Sequence, residues 1–352
     1  MTPARRVPDR RDGGRLLVIE RGSGRRLDAA FADLERLLEA GDLVIVNDAA
    51  TLPASLPATL PGALAPTDAL ELRIVSVLGA RLQVVLMGAG DWRTPTERRP
   101  PPPYLPVGTA IEIAGVAATI TALDLRSPRL ATLEFAGGEV PWATLYAVGR
   151  PIQYAYHAEA LALSQVQTAF ATRPWAVEMP SAGRPLTWRM LLALRRRGVA
   201  LATVTHAAGL SSTGDPLIDA ALPLPERYEL PAATIAAITR TKAAGGRVIA
   251  VGTTVVRAIE GAALAGGGVL RPGAGETDLV IGPSFSPRLI DGLLSGVHGP
   301  DESHYRLLAA FARQDILADA WEHAKAAGYR NHEFGDACLL LDPPRLGARA
   351  AA

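Results

Sequence analysis

The chain of 352 residues is long enough for two domains, and its 49% hydrophobic content can fill a substantial core. A formal charge of +1 gives no global attraction to nucleic acid or anionic membrane, so any RNA contact must come from local basic patches such as Arg5 to Arg26 or Arg195-Arg196-Arg197. The single cysteine, Cys338, excludes an intramolecular disulfide and a cysteine-rich metal site.

Residues 1–26 are basic and broken by Pro and Gly, with one apolar run, Leu16 to Ile19. Apolar residues at helical spacing (Phe31, Leu34, Leu37, Leu38) predict a helix from Leu27 to Ala40, and Leu43 to Val46 reads as a strand closing in Asn47-Asp48. No apolar run nears the roughly 18 residues of a membrane span. The N-terminus also lacks the apolar segment of a secretory signal, so the expected location is cytoplasmic, with no membrane partner. From Leu52 to about Trp142 the pattern contains no helix. Short runs at Leu70–Leu78, Arg81–Met87, Thr109–Ile113, Ala117–Leu125 and Leu130–Phe135, separated by Gly and Pro, predict a small antiparallel barrel or sandwich. Arg93 to Pro106, with Pro100-Pro101-Pro102-Pro103, is a loop within it, because it cannot pair as a central strand.

After Trp142 helices and strands alternate. A helix at Trp188–Arg197 precedes a strand at Val199–Thr205, one at Ala232–Ala244 precedes Arg247–Val251, and one at Val255–Leu264 precedes Asp278–Ile281. Helices at Tyr305–Phe311 and Ile316–Ala326 and a strand at Cys338–Leu341 follow, which makes Cys338 a buried strand thiol. This alternation implies largely parallel pairing with covering helices. The expected fold class is an α/β main domain, discontinuous over 1–51 and 143–352, with an inserted small antiparallel β-barrel or sandwich domain at 52–142.

Open α/β sheets gather ligands outside the carboxyl ends of their strands. The run Arg247 to Val251 ends in Gly252-Thr253-Thr254 and passes at once into a helical pattern. Gly252 allows close approach to the backbone, Thr253 or Thr254 can cap the helix, and the free N–H groups suit an anionic or polar ligand. Arg257 sits in the first turn, where the helix dipole opposes a cation by roughly a few tenths of a kcal/mol. That placement implies an anionic partner, with Glu260 three residues on as the plainer choice. The other strand ends are Thr205-His206 and Gly282-Pro283-Ser284, with Ser181-Ala182-Gly183 and His298 nearby in sequence. Carboxylates able to join them are Glu178, Glu226, Asp291, Asp301 and Asp336. No histidine pair has zinc spacing, so no metal is expected. Gly266-Gly267-Gly268 lacks the Lys of a P-loop, and there is no Gly-x-Ser-x-Gly elbow.

Taken together and in order, these motifs resemble the S-adenosylmethionine:tRNA ribosyltransferase-isomerases of queuosine biosynthesis from about Arg15 to Leu341. The resemblance is closest over Gly246 to Arg257 and extends to Gly41–Leu56, Pro180–Gly183, Gly198–His206, Thr277–Pro283, Val297–Pro300, Ala310–Ala312 and Gly335–Ala337. It implies an α/β domain carrying an inserted β-barrel. It implies S-adenosylmethionine as a substrate without a metal, its ribosyl part passing to a 7-aminomethyl-7-deazaguanine in tRNA with loss of adenine and methionine. It further implies that Gly252, Thr253, Thr254, Arg257, Ser181, Gly183 and Asp48 bind the donor, and that His206, His298 and Glu226 transfer or orient protons.

The chain also departs from the family's wording. Both arginines of Asn-Asp/Asn-Thr-Arg-Val-Ile-Pro-Ala-Arg-Leu are absent from Asn47 to Leu56, and Arg184-Pro185-Leu186 replaces Leu-His-Phe. Ala207-Ala208 follows His206, Leu224-Pro225-Glu226 keeps only the acid of His-Ser-Glu, and Asn331-His332-Glu333-Phe334 replaces Phe-Phe-Ser-Tyr. New polar groups appear from Asp301 to Arg306. Lost arginines are what a weaker hold on RNA phosphate looks like. Three readings therefore stand: the family's transfer to tRNA, the same or a related nucleoside donor with a small-molecule acceptor, or a non-catalytic nucleoside or RNA binder.

Overall fold

The computed structural model describes residues 1–62, 69–300 and 302–343, which leaves Asp301 outside the described residues. Strands Ser55–Thr59, Ala69–Leu78, Arg81–Met87, Ala110–Ile113, Val116–Leu123 and Leu130–Phe135 close into an antiparallel barrel. Alternation places Leu56, Leu72, Ile74, Val84, Ile120 and Leu133 inside, where they fill the narrow interior. One charged group is buried with them. Arg73 is 1% exposed and donates to Glu71, which also takes Arg99 and the Ser55 hydroxyl.

The barrel strands all come from residues 55–135, whereas a nine-stranded sheet draws on both flanks. Its order is Gly273–Thr277, Glu226–Leu230, Ala200–His206, Leu43–Asn47, Val248–Val251, Gly292–Gly296, Ala337–Leu340, Arg15–Ile19 and Arg26–Ala30. Helix Thr253–Ala265 buries Val255, Val256, Ala258 and Ile259 against one face, and helix Trp188–Arg196 buries Met190, Leu191 and Leu194 against the other. Among the described residues no helix is long and apolar enough to cross a membrane. Cys338 is buried in its strand, as its sequence predicts.

Four expectations are corrected. The helix over Leu27–Ala40 is instead an edge strand, Arg26–Ala30, then a 3-10 turn Phe31–Asp33 and the short helix Leu34–Leu37. Pairing with Arg15–Ile19 claims the first residues, because that strand would otherwise be left as an open edge, although Phe31, Leu34 and Leu38 are buried as the spacing requires. The strand expected at Asp278–Ile281 lies just upstream, at Gly273–Thr277, paired with Glu226–Leu230. The chain turns after it: Thr277 Oγ1 accepts from Leu279 N, and Leu279 O accepts from Arg257 Nε.

Pairing is parallel in the centre, from Ala200–His206 through Leu43–Asn47 and Val248–Val251 to Gly292–Gly296, and again between Ala337–Leu340 and Arg15–Ile19. The remaining joints are antiparallel, so the sheet is mixed rather than largely parallel. The strands at Glu226 and Gly292 cause the difference, being too short and too rich in Gly or charge to read as strands. Finally, neither threonine caps the helix after Val251. Gly252 itself is the N-cap, at φ 88, and Thr253 already begins the helix.

Candidate active site

Three predicted residues meet at one end of the sheet. His206 ends its strand, Glu226 opens the neighbouring antiparallel strand, and Arg257 reaches them from the first turn of helix Thr253–Ala265. Arg257 Nη1 forms an ion pair with Glu226 Oε2, and His206 Nε2 lies 3.3 Å from the same oxygen. Neither approach has hydrogen-bond alignment. Both ring nitrogens of His206, Glu226 Oε2 and Arg257 Nη2 are buried without a hydrogen-bond partner among the described residues. Glu226 Oε1 is fixed by the Gly209 N–H at 2.6 Å. Burial pushes Glu226 up to about 7 against the opposing pull of Arg257, and burial with the Arg257 charge holds His206 neutral, at about 3.

The anionic partner implied by Arg257 is thus Glu226 and not Glu260. Glu260 is committed elsewhere, accepting from the N–H groups of Arg288, Leu289 and Ile290. Asn47 organises the back of the group: its Oδ1 accepts from His206 N at 2.9 Å, while its Nδ2 donates to His206 O at 2.9 Å and to Thr254 Oγ1 at 3.3 Å. Gly252 faces the turn Ser181–Gly183, and a Cβ built on it would lie 3.5 Å from Ala182 Cβ. Gly183 is packed on Phe170. Asp48 accepts from Thr205 Oγ1 at 2.6 Å. Thr205 and His206 project to opposite faces of the strand, so Asp48 is not brought to Glu226.

His298 stands opposite. Its Nδ1 is 2.8 Å from Glu302 Oε2, its Nε2 is 3.2 Å from Ser295 Oγ, and its ring stacks on His304 at 4.7 Å and 14°. Burial opposes ionisation of Glu302, yet His298 and the Gly299 N–H hold it down at about 2. Burial, with smaller contributions from the His298 and Arg257 charges, depresses His304 to about 3. Glu178 completes the ring. Half-buried, and accepting from Tyr154 and Ser211, it has its proton affinity raised by desolvation, and its charge adds to the rise at Glu226.

Tyr154, Tyr156, His157, Glu302, His304, His332 and Glu333 were not singled out as site residues from the sequence. The available signal was the density of Tyr, His and Glu at 153–157 and 331–333. Asp291 and Asp336 do not join the site: the first binds Lys242, the second Arg15. Among the described residues no group of three or more His, Cys, Asp or Glu can hold a metal ion. Much of the basic patch over Arg5 to Arg26 is engaged internally, Arg11 by Gln167 O, Arg15 by Asp336, Arg21 by Phe311 O and Arg26 by Asp319.

Comparison with known proteins gives this geometry a family. The queuosine biosynthesis protein family matches residues 2–340. The chain belongs to that family. An S-adenosylmethionine:tRNA ribosyltransferase-isomerase from Synechococcus elongatus is 35% identical over 344 residues, covering 96% of this chain and 91% of that one. A protein of the same name from Acidithiobacillus ferrooxidans is 35% identical over 348 residues, with 96% and 94% covered. In fold, the chain is similar to the crystal structure of an S-adenosylmethionine tRNA ribosyltransferase from Thermotoga maritima, with TM-score 0.51, 24% identity and 96% of each chain covered. The chain thus resembles that structure in fold over nearly its whole length.

Proposed function

We propose that this protein is an S-adenosylmethionine-dependent ribosyltransferase-isomerase, moving the ribosyl moiety of the donor to a 7-aminomethyl-7-deazaguanine in tRNA. The observation that carries this reading is the buried group of His206, Glu226 and Arg257, whose unsatisfied polar atoms converge at a strand end. The reaction requires a base to remove a proton beside the sulfonium. Opening of the ribose then expels adenine, the acceptor amine attacks, and epoxide closure releases methionine. Glu226 Oε2 is the base. A carboxylate whose proton affinity lies near neutrality is a stronger base than an ordinary one and is still ionised in useful amount.

His206 stays neutral beside Glu226 Oε2, at 3.3 Å, and is read as packing against that carboxylate rather than taking the proton. Arg257 offsets the buried charge and, with Gly252, Thr253, Thr254, Ser181 and Gly183, forms the donor side. Asp48 supports that side through Thr205. His298, oriented by Glu302, faces the leaving or attacking groups from the other half. The barrel at 52–142 is read as a domain inserted in a main domain of 1–51 and 143–352. The protein works in the cytoplasm, with donor and tRNA as partners and no metal. The relatives compared above are named for the tRNA reaction, which does not favour the small-molecule acceptor or the non-catalytic binder.

The test is incubation with S-adenosylmethionine, with and without tRNA bearing the aminomethyl-deazaguanine, followed by mass spectrometry. Adenine and methionine released in step with a modified nucleoside are expected. Donor turnover that is indifferent to the tRNA would sink the reading.

A further inference from the structure

A small cavity beside the ring of charges is left unused by this chemistry. It is lined by Tyr154, His157, Glu178, Met179, Glu333 and Phe334, and its volume of about 20 Å³ is room for a single water-sized group. Its walls mix Ile152, Leu161 and Val166 with aromatic side chains, and an aromatic stack stands behind them. Tyr154 and Tyr156 stack at 6.1 Å and 24°, Tyr156 lies on His332 at 4.2 Å and 19°, and Phe334 meets the His157 ring at 5.5 Å. Arg184 backs Phe334 at 4.7 Å and donates to Gln165 O, so it is occupied in holding this wall.

The polar atoms facing this space are short of donors. Glu333 Oε2 takes the Tyr156 hydroxyl, and the same carboxylate lines the cavity. His157 is 4% exposed; its Nε2 is 3.7 Å from Glu333 Oε2, and its Nδ1 is buried without a partner. Burial keeps this ring neutral, at about 4, and pushes Glu333 up to about 7. With the proton on the Nε2 side facing Glu333, Nδ1 presents a bare lone pair. Among the described residues, the neighbouring acid Glu178 accepts from the Tyr154 hydroxyl and from the N–H and hydroxyl of Ser211.

We propose that this cavity is a binding site for a primary ammonium group, received by Glu333 and His157 Nδ1 beside Tyr154. A sulfonium is the wrong shape of cation here, because it has no N–H to satisfy the two acceptors. The identity of the ligand rests on the reaction proposed above. Two reactants there carry such a group, the aminomethyl side chain of the acceptor base and the α-amino end of the donor.

Methylammonium chloride is the direct probe, titrated at constant ionic strength while the melting temperature is read, with tetramethylammonium chloride as the control lacking N–H. A saturable rise with methylammonium alone is expected, with about ten-fold weaker apparent affinity in Glu333→Gln, which keeps an acceptor for Tyr156. An equal response to both cations in the native chain, or the same methylammonium response in native and variant proteins, overturns the site. Calorimetry then separates the sources. S-adenosylmethionine is compared with its analogue lacking the α-amino group, and the free aminomethyl-deazaguanine base with its methyl counterpart, each in native and Glu333→Gln protein. The ligand whose preference for the amine shrinks about ten-fold in the variant is the one seated here. A methylammonium response that depends on Glu333, with neither reactant bound at all, leaves the cavity assigned and instead counts against the proposed reaction.

Discussion

The two halves of the site are built differently. On one side His206, Glu226 and Arg257 are held by strand ends and a helix start, and Asn47 fixes their backbone from the central strand. On the other, His298, Glu302, His332, Glu333 and Glu178 sit outside the helices and strands; His298 is held by Glu302, His332 and Glu333 by Tyr156, and Glu178 by Tyr154 and Ser211. Regular structure lets backbone pairing position the chemistry, so single side chains there are free to remain unsatisfied. The turn-built half spends many of its polar groups on its own geometry and leaves few, such as His157 Nδ1, for a substrate group. The first side should therefore carry the proton chemistry and the second the fit of the substrate.

The largest effect should separate them outright. Glu226→Gln is expected to cut kcat about 10²- to 10⁴-fold while changing the donor dissociation constant only a few-fold. Glu302→Gln should cost about ten-fold or less, mainly in KM, since it disturbs the orientation of His298. Equal losses in kcat from both variants would break the division. The pH profile sharpens it. A base raised to about 7 must lose its proton to act, so kcat should rise with pH and level off above about 7.5.

Arg257→Ala comes next. Removing it leaves a buried carboxylate without its cation, a change that costs about 3–5 kcal/mol in other buried pairs and is readable by urea unfolding. The acid limb of the pH profile should move upward as well, because Arg257 is what pulls Glu226 down. An unshifted limb with normal stability would move the base elsewhere. His206→Ala should be milder, lowering kcat about ten-fold with KM unchanged, as befits a group that acts through Glu226.

The same division explains what could be read in the sequence. Strand Val248–Val251, its glycine turn and helix Thr253–Ala265 are local patterns, visible in the spacing of apolar residues, and Arg257 was legible because it opposes the helix dipole. The barrel was legible from short apolar runs between Gly and Pro. Glu226 as the partner of Arg257 was not, since 31 positions of chain and an antiparallel pairing intervene. The cavity at Tyr154, Glu178 and Glu333 was still less so. Three turns distant in sequence meet there, and no period marks them. Edge pairing likewise overrode helical spacing at Arg26–Ala30.

The smallest effect compares two glycines that follow strand-like runs, Gly252 and Gly282. Gly252 has φ 88 and faces Ala182 across the turn, whereas a Cβ at Gly282 would meet nothing within 4 Å and its backbone angle is ordinary. In Gly252→Ala, a residue at φ 88 and ψ 156, a region essentially reserved for glycine, acquires a Cβ at a cost of about 1–3 kcal/mol, and the helix start shifts against Ser181–Gly183. Stability should fall by that amount and donor affinity with it. Gly282→Ala loses no contact and restricts only the unfolded chain, so it should be neutral or stabilising by about 0.4–1 kcal/mol, with donor affinity unchanged. Chemical denaturation and calorimetry on both variants decide the matter. Should Gly252→Ala bind the donor as tightly as the native chain, the helix start would be a structural turn only, and the donor side of the site would shrink to Arg257 and its carboxylate.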